Sequence, residues 1–364
     1  MTGAEPAQPD SGEDTRKAGG LAGAIDWDLA ARTGARLAPR GPQVSRERAE
    51  AVVADLEEIS KAAELPVREV TGLAEGLPIP RAQIVDRGAW VRAAASSMAN
   101  LAEGDAADED RKSPLGAKTA GLQAGAVLAF LSSAILGQYD PFTGEDGTLL
   151  LVAPNMVMVE RMLKVDPADF RLWVCLHEVT HRIQFAAAPW IRDYMREQVA
   201  ILSAVGTEPL TDVVARLAAE LRERRQGTAD SDSPGGVIGL LRATQAPPQR
   251  DALDRLLALG TLLEGHADHV MDAVGPAVVP SVKEIRAKFD NRRRRRMNPI
   301  HRLIRALLGM DAKMQQYVRG KKFVDAVVEE VGMERFNTVW TSPETLPLAS
   351  EIGHPEAWIK RVLA

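Results

Sequence analysis

A pair of histidines with a glutamate between them, set in a long apolar helical pattern, constrains this chain more than any other feature. Residues 177–181 read HEVTH. Asp166 followed by Pro167 predicts where the helix begins, because aspartate caps helix ends and proline suits the first turn. Apolar residues at helical spacing predict one packed face: Leu172, Leu176, Val179 and Ile183. The sequence therefore predicts a buried helix that carries two histidines one turn apart.

The two imidazoles of this motif lie on one side of the helix. At about 100° per residue, His177 and His181 are about 40° apart, and Glu178 lies about 100° round from His177. Two histidine nitrogens at this spacing can bind one tetrahedral zinc ion, and the glutamate is placed to act as a base beside the metal. The motif predicts a Zn²⁺ site with His177 and His181 as ligands and Glu178 as the catalytic base.

The residue counts restrict which side chains can complete the site. The chain has 364 residues but only one cysteine, Cys175, and six histidines. An internal disulfide framework and a cysteine-rich zinc finger are therefore excluded. Helical geometry turns Cys175 away from the histidine pair, which predicts a small buried residue. The third ligand must be another histidine or a carboxylate.

Residues 262–269, LLEGHADH, supply the candidates for that third ligand. Glu264 and Asp268 are four residues apart and share one face of an apolar helix. We expect Glu264 to bind the metal and Asp268 to orient a ligand histidine through its free ring N–H, in a gluzincin-like arrangement. His266 and His269 are rival ligands, although His266 lies about 160° from Glu264 on the helix and cannot easily share a metal with it.

Helical patterns dominate the remainder, so the sequence predicts a mainly α fold with a small β element. Residues 46–63 form an amphipathic run, residues 137–147 are rich in turn formers, and residues 154–163 predict a short helix. The best strand candidate is Thr148–Val152, TLLLV, which we expect to be an edge strand.

Composition along the chain predicts how it is divided. Residues 1–24 and 227–236 are polar and rich in Gly, Pro and Asp, which predicts a disordered N-terminal tail and a flexible insert. Residues 25–364 are expected to form a single domain, with a helical part up to 140 and a metal-site part from 141 onward. The N-terminus lacks the apolar stretch of a signal peptide, so we expect a cytoplasmic protein.

Two further runs raise the question of other partners. Residues 119–139 contain no charged side chain, but their Ala, Gly and Ser content favours a buried helix over a membrane span. Five arginines run from Arg292 to Arg296, yet the formal net charge is −5 and no aromatic platform accompanies them, which favours a solvated segment. We expect neither a membrane span nor a nucleic-acid partner.

Taken together, these motifs resemble the zincin-like metallopeptidase type 2 family, whose members are bacterial and largely actinobacterial. The segments that carry the resemblance are GQYDPF (137–142), LLLVAPN (149–155), HEVTHRIQF (177–185) and LEGHADHVMDAVG (263–275). One subgroup of the family is associated with biosynthesis of a deazaflavin redox cofactor. The resemblance runs from about Ile25 to the C-terminus and implies a mostly helical zincin-like metallopeptidase fold.

The resemblance also implies an activity, namely zinc-dependent hydrolysis of a peptide or amide substrate. It implies His177, His181 and Glu264 as ligands and Glu178 as the base, and it suggests that an extended substrate pairs with the edge strand. A donor that stabilises the oxyanion is also required, for which Tyr317 and His301 are candidates. The alternative is a non-catalytic zinc-binding protein whose site serves structure or partner binding, although such a site has no need of a base.

Overall fold

The computed structural model describes residues 24–102, 114–204, 245–294 and 310–364. These residues form a mainly helical protein with one small sheet, as the sequence predicts. The helices are α1 (Trp27–Leu37), α2 (Arg46–Ala62), α3 (Glu64–Thr71), α4 (Arg87–Ala102), α5 (Pro114–Leu131), α6 (Ala153–Leu163), α7 (Pro167–Ala187), α8 (Trp190–Ser203), α9 (Pro247–Val274), α10 (Val282–Arg294), α11 (Met310–Phe336) and α12 (Pro355–Leu363). The strands are β1 (Gln83–Val85), β2 (Gly137–Asp140) and β3 (Thr148–Val152). Two short 3-10 helices, Asn337–Trp340 and Pro343–Thr345, join α11 to α12.

The sheet places the predicted strand in its centre. Its order is β1-β3-β2, with β1 parallel and β2 antiparallel to β3. The strand over Thr148–Val152 is confirmed, but the expectation that it is an edge strand was wrong. The sequence pattern does not predict the two neighbouring strands, because β1 has only three residues and β2 begins in the turn-rich segment.

Alternation along β3 separates the core into two layers. Leu149 and Leu151 join the main core, which includes α7 and α9, whereas Leu150 and Val152 join a smaller cluster with α4 and α5. Successive side chains of a strand point to opposite faces of its sheet. Helices cover both faces, and this explains why the strand reads as an unbroken apolar run.

Residues 119–131 of the uncharged run belong to α5, which packs closely against α1, and residues 137–139 belong to β2. A Cβ on Gly125 would lie 2.7 Å from the carbonyl oxygen of Ala30, and one on Gly34 would lie 2.6 Å from the carbonyl oxygen of Gly125. The glycines therefore allow two helix backbones to meet within the protein. The predicted burial holds for only part of α5, since Leu122 and Val127 are exposed. Among the described residues, no helix has both the length and the apolar character needed to cross a bilayer.

Helix α7 begins where the sequence predicts. The carboxylate of Asp166 accepts hydrogen bonds from the backbone N–H groups of Ala168 and Asp169 at 2.9 and 3.0 Å. Most of the helix is buried, because α2, α3 and α9 pack around it and β2 lies along one side. The packing of α9 on α7 brings the two candidate metal motifs together.

Several predictions fall outside the described residues. These are the N-terminal tail up to residue 23 and the insert at 227–236. Helix α10 ends at Arg294, within the arginine run, and the remainder of that run is not described. The division into a single domain from residue 25 stays a prediction.

Candidate metal centre

Three side chains from α7 and α9 meet where these two helices pack together. His177 and His181 project from one face of α7, and Glu264 reaches them from α9. The Nε2 atoms of the two histidines are 3.2 Å apart, and the Glu264 Oε2 atom is 3.3 Å from His177 Nε2 and 3.6 Å from His181 Nε2. Of the described residues, these alone form a group of three or more potential ligands close enough to hold one metal ion.

The dimensions of this triangle fit a tetrahedral metal ion. Zinc bonds to histidine nitrogen and carboxylate oxygen are about 2.0–2.1 Å long, so tetrahedral angles put two ligand atoms about 3.3–3.4 Å apart. The three observed separations, from 3.2 to 3.6 Å, bracket that value. The ligand atoms thus already stand where such an ion would hold them.

The electrostatics of the cluster also favour a cation. Burial alone would raise the pKa of Glu264, but the hydrogen bonds and charges of His177 and His181 hold it well below its usual value. Burial alone would lower the pKa of His181, but the hydrogen bond and charge of Glu264, together with the charge of Glu178, raise it to about 9. A proton is therefore held where a metal ion could replace it.

Glu178 lies beside the candidate metal ligands on α7, and its side chain packs against β2. It is 8% exposed, and a Cβ placed on Gly137 would be 2.6 Å from its Cγ and 2.9 Å from its Oε1. Its charge is also one of the causes of the raised pKa of His181. The carboxylate therefore lies against β2 and close enough to His181 for its charge to affect the pKa of that histidine.

Gln184 contacts one of the candidate ligands, a contact that sequence reasoning missed. The Nδ1 atom of His181 lies 3.0 Å from Gln184 Oε1, so it donates the ring N–H and leaves Nε2 available to a metal. The amide nitrogen of Gln184 donates to the Leu263 carbonyl at 2.9 Å and lies 3.0 Å from His266 Nδ1. One side chain thus ties α7 to the segment that carries Glu264. The position of Gln184, three residues after His181 on the same helix face, could have indicated this contact.

His266 supports the centre from a fully buried position. Its ring stacks on Phe336 and meets Trp340 edge to face, with centroid distances of 5.5 and 5.2 Å. Burial, with smaller contributions from the charges of His269 and His181, lowers its pKa to about 3. It is therefore a neutral packing residue, and it is not part of the ligand triangle.

Asp268 and His269 contact residues on α10 and α11. The carboxylate of Asp268 lies 3.5 Å from the guanidinium of Arg286 on α10, and His269 Nδ1 lies 2.7 Å from Asp325 on α11. The expectation that Asp268 orients a ligand histidine needs correction for His181, because Gln184 already occupies its Nδ1. Asp268 lies one turn beyond Glu264, and its carboxylate and backbone carbonyl both lie near the Arg286 guanidinium.

Neither of the two predicted oxyanion donors has a side chain within the described part of the structure. Tyr317 lies on α11, but its side chain is outside the described part, and so is the whole of His301. Cys175 is fully buried, and this burial raises the pKa of its thiol above the ordinary value. Both observations fit the predicted packing role.

Comparisons with known proteins agree with this geometry. The chain matches the zincin-like metallopeptidase family over residues 25–359. No curated protein matches it. Among solved structures it is similar to a proposed hydrolase with a novel fold from Chloroflexus aurantiacus, with 28% sequence identity and a TM-score of 0.64. That similarity covers 93% of this chain and 98% of the other. The resemblance seen in the motifs is confirmed, and the chain belongs to the zincin-like metallopeptidase family.

Proposed function

We propose that this protein is a zinc-dependent hydrolase that cleaves peptide or amide bonds, with Glu178 as the general base. The observation that carries the proposal is the ligand triangle of His177, His181 and Glu264, with separations of 3.2–3.6 Å. A set of two histidines and one glutamate leaves one position of a tetrahedral zinc ion open, as catalytic sites require.

The reaction needs a proton to be moved from water to the leaving group. When bound, zinc lowers the pKa of a coordinated water molecule and polarises a carbonyl group. Glu178 would accept the proton of the attacking water and then deliver it to the leaving amine. Its buried position strengthens this role, because a carboxylate held away from bulk water exchanges its proton with the reacting groups rather than with solvent.

An extended substrate would pair with β2. Strand β3 is enclosed by its two neighbours, whereas β2 ends the order of the described strands. Gly137 and Gln138 at the start of β2 are partly exposed, and Gly137 also contacts Glu178. A peptide added along this edge would lie next to Gly137, the strand residue that contacts the base, which supports an elongated substrate.

The alternative is a structural or partner-binding zinc site. One observation favours it: the ligands come from two helices that are far apart in sequence, so a bound ion would also cross-link them. Glu178 separates the two functions, because a structural ion does not require a buried carboxylate next to its ligands.

Metal analysis combined with peptide hydrolysis tests the proposal. We expect wild-type protein to bind one zinc ion and to cleave members of a fluorogenic peptide library. Glu178→Gln should keep the zinc and lose about 10²–10⁴-fold in kcat/KM, the usual contribution of a general base. Glu264→Ala should lose both the zinc and the activity. Glu47→Gln, which changes an exposed residue on α2, should leave zinc binding and activity unchanged.

The outcomes separate the two functions. Stoichiometric zinc with no cleavage of any peptide would favour the structural role. Full activity in Glu178→Gln would contradict the proposed mechanism, and stoichiometric zinc in a folded Glu264→Ala variant would contradict the ligand set.

A further inference from the structure

A histidine occupies a pocket that an apolar side chain could fill. His266 on α9 is fully buried, with its ring stacked on Phe336 and edge to face with Trp340. Trp340 is itself held in place, because its backbone carbonyl accepts a hydrogen bond from the indole of Trp190 on α8 at 2.9 Å. An apolar side chain would suit these walls, since a buried polar ring needs hydrogen bonds that an apolar group does not. The polar atoms of His266 therefore need an explanation other than packing.

In the described part of the chain, the hydrogen bond of this ring joins it to the amide of Gln184 on α7. Gln184 Nε2 lies 2.9 Å from the carbonyl oxygen of Leu263 and 3.0 Å from His266 Nδ1. Because a carbonyl oxygen only accepts, the nitrogen of the amide faces this pair, and its two N–H groups donate one hydrogen bond to each. His266 Nδ1 is therefore an acceptor. The oxygen of the amide points at His181, whose Nδ1 lies 3.0 Å away.

This arrangement leaves His266 with a buried donor. A neutral imidazole that accepts through Nδ1 carries its proton on Nε2. The Nε2 atom of His266 is buried, and no described group accepts a hydrogen bond from it. A buried donor without a partner destabilises a fold, whereas a leucine at this position would introduce no such donor. The contact with Gln184 is the described interaction that uses the polarity of the ring, and it therefore points to a function.

The acceptor on His266 affects which end of the Gln184 amide faces a candidate metal ligand. With its nitrogen held by Leu263 and His266, Gln184 presents oxygen to His181, so Nδ1 of that ring carries a proton and Nε2 is left for an ion. A rotated amide would present N–H to His181 and favour the opposite tautomer, whose protonated Nε2 cannot bind a metal. The Leu263 carbonyl alone would satisfy only one of the two N–H groups, so both acceptors are needed to oppose that rotation.

We propose that His266 is a positioning residue for the metal centre, which acts through the Gln184 amide to present Nε2 of His181 to the ion. This inference rests on the zinc site of the proposed function and adds to it a residue outside the ligand triangle. Phe336 and Trp340 hold the ring of His266, so the segment that ends α11 and follows it also supports the site.

A thermodynamic cycle on zinc affinity separates positioning from packing. Affinity is measured on the full chain, by competition with a chelator, for His266→Leu, Gln184→Leu and the double variant. Leucine has nearly the volume of histidine, and we expect His266→Leu to bind zinc about tenfold more weakly than wild type. In the Gln184→Leu background the same change should alter the affinity less than twofold, because residues that act through one another are not additive. Equal losses in both backgrounds, or an unchanged affinity in His266→Leu, would overturn the inference.

A rescue variant reverses the order that packing predicts. His266→Asn removes most of the ring but keeps an oxygen near the place of Nδ1. It should therefore bind zinc more tightly than His266→Leu, although urea titrations should show it to be less stable. Weaker zinc binding by His266→Asn than by His266→Leu would reduce the role of the ring to packing. His354→Leu, at an exposed position, is the control and should leave zinc affinity unchanged.

A measurement without metal tests the amide directly. In metal-free wild-type protein labelled with the heavy nitrogen isotope, the hydrogen bond from Gln184 Nε2 to His266 Nδ1 should give a magnetic coupling between the two nitrogens. Absence of this coupling would overturn the inference even if the protein binds zinc. A wild-type chain that shows the coupling but binds no zinc would overturn the proposed function and leave the orientation of the amide standing.

Discussion

The side chain of Glu178 packs so closely on Gly137 that β2 has no room for a side chain at that position. A Cβ there would lie 2.6 Å from Glu178 Cγ and 2.8 Å from its Cδ. We expect Gly137→Ala to displace the carboxylate by about 1 Å and to lower kcat/KM about 100-fold, because catalytic groups depend on such placement. Zinc binding should persist, since the three atoms nearest to the added Cβ all belong to Glu178, which is not one of the proposed ligands. Parallel metal and rate measurements check this.

Gly116→Ala is the matched control for that change. An added Cβ at Gly116 meets nothing within 4 Å. Its activity should equal that of the wild type. Unchanged kcat/KM in Gly137→Ala would show that the position of Glu178 does not limit the reaction.

Gln184→Leu should weaken the metal site without removing a ligand. The change leaves His181 Nδ1 without its partner and removes the bond to the Leu263 carbonyl. We expect zinc affinity to fall about 10–100-fold, as for other partners of ligand histidines, measured by competition with a chelator. Gln123→Leu, on the exposed side of α5, should leave the affinity unchanged. Equal affinity in Gln184→Leu and wild type would show that the ring orientation of His181 is set elsewhere.

Gly320→Ala should loosen the contact of α9 with α11. A Cβ on Gly320 would overlap the carbonyl group of Thr261, and one on Gly265 would overlap the backbone of Gly320. We expect the free energy of unfolding to fall by about 1–3 kcal/mol in urea titrations. Gly260 lies on α9, where an added Cβ meets nothing within 4 Å, so Gly260→Ala should be neutral or stabilising by up to about 1 kcal/mol. Similar stability of the two variants would contradict the close packing.

The pH dependence of stability should differ between chelated and zinc-loaded protein. The pKa of His181 is about 9 in the fold against 6.5 for a free histidine. Protonated His181 therefore stabilises chelated protein fully below about pH 6.5, and this contribution, on the order of 1–3 kcal/mol, is lost as the pH rises through 9. Zinc displaces that proton, so loaded protein should lack the loss. Urea titrations between pH 6.5 and 9.5 check this, and an unchanged loss in chelated His181→Gln would contradict it.

The parts of the site that follow from local geometry could be predicted from the sequence. His177, Glu178 and His181 occupy neighbouring turns of one helix, so their directions follow from the helical repeat alone. The third candidate, Glu264, could be chosen because carboxylates are common zinc ligands and few histidines were available. The structure brings all three potential ligands to one point.

The parts that could not be predicted correctly depend on contacts between segments that are distant in the sequence. The helical repeat places Asp268 on the face of Glu264, but only the docking of α10 shows that this turn meets Arg286. The central position of β3 depends on pairing with β1, more than sixty residues earlier in the chain. The role of Gln184 likewise requires α9 to deliver the Leu263 carbonyl and His266. A single sequence carries no direct record of such pairings.

The separation of the candidate ligands along the chain would determine when the protein could acquire the proposed ion. His181 and Glu264 are 83 residues apart, so a growing or refolding chain must close a long loop, at a cost in chain entropy, before both can touch one ion. The histidine pair on α7 alone offers only two ligands. High-affinity capture of the proposed ion would therefore follow the docking of α9, and the ion would select chains that have already completed their long-range topology rather than guide them to it.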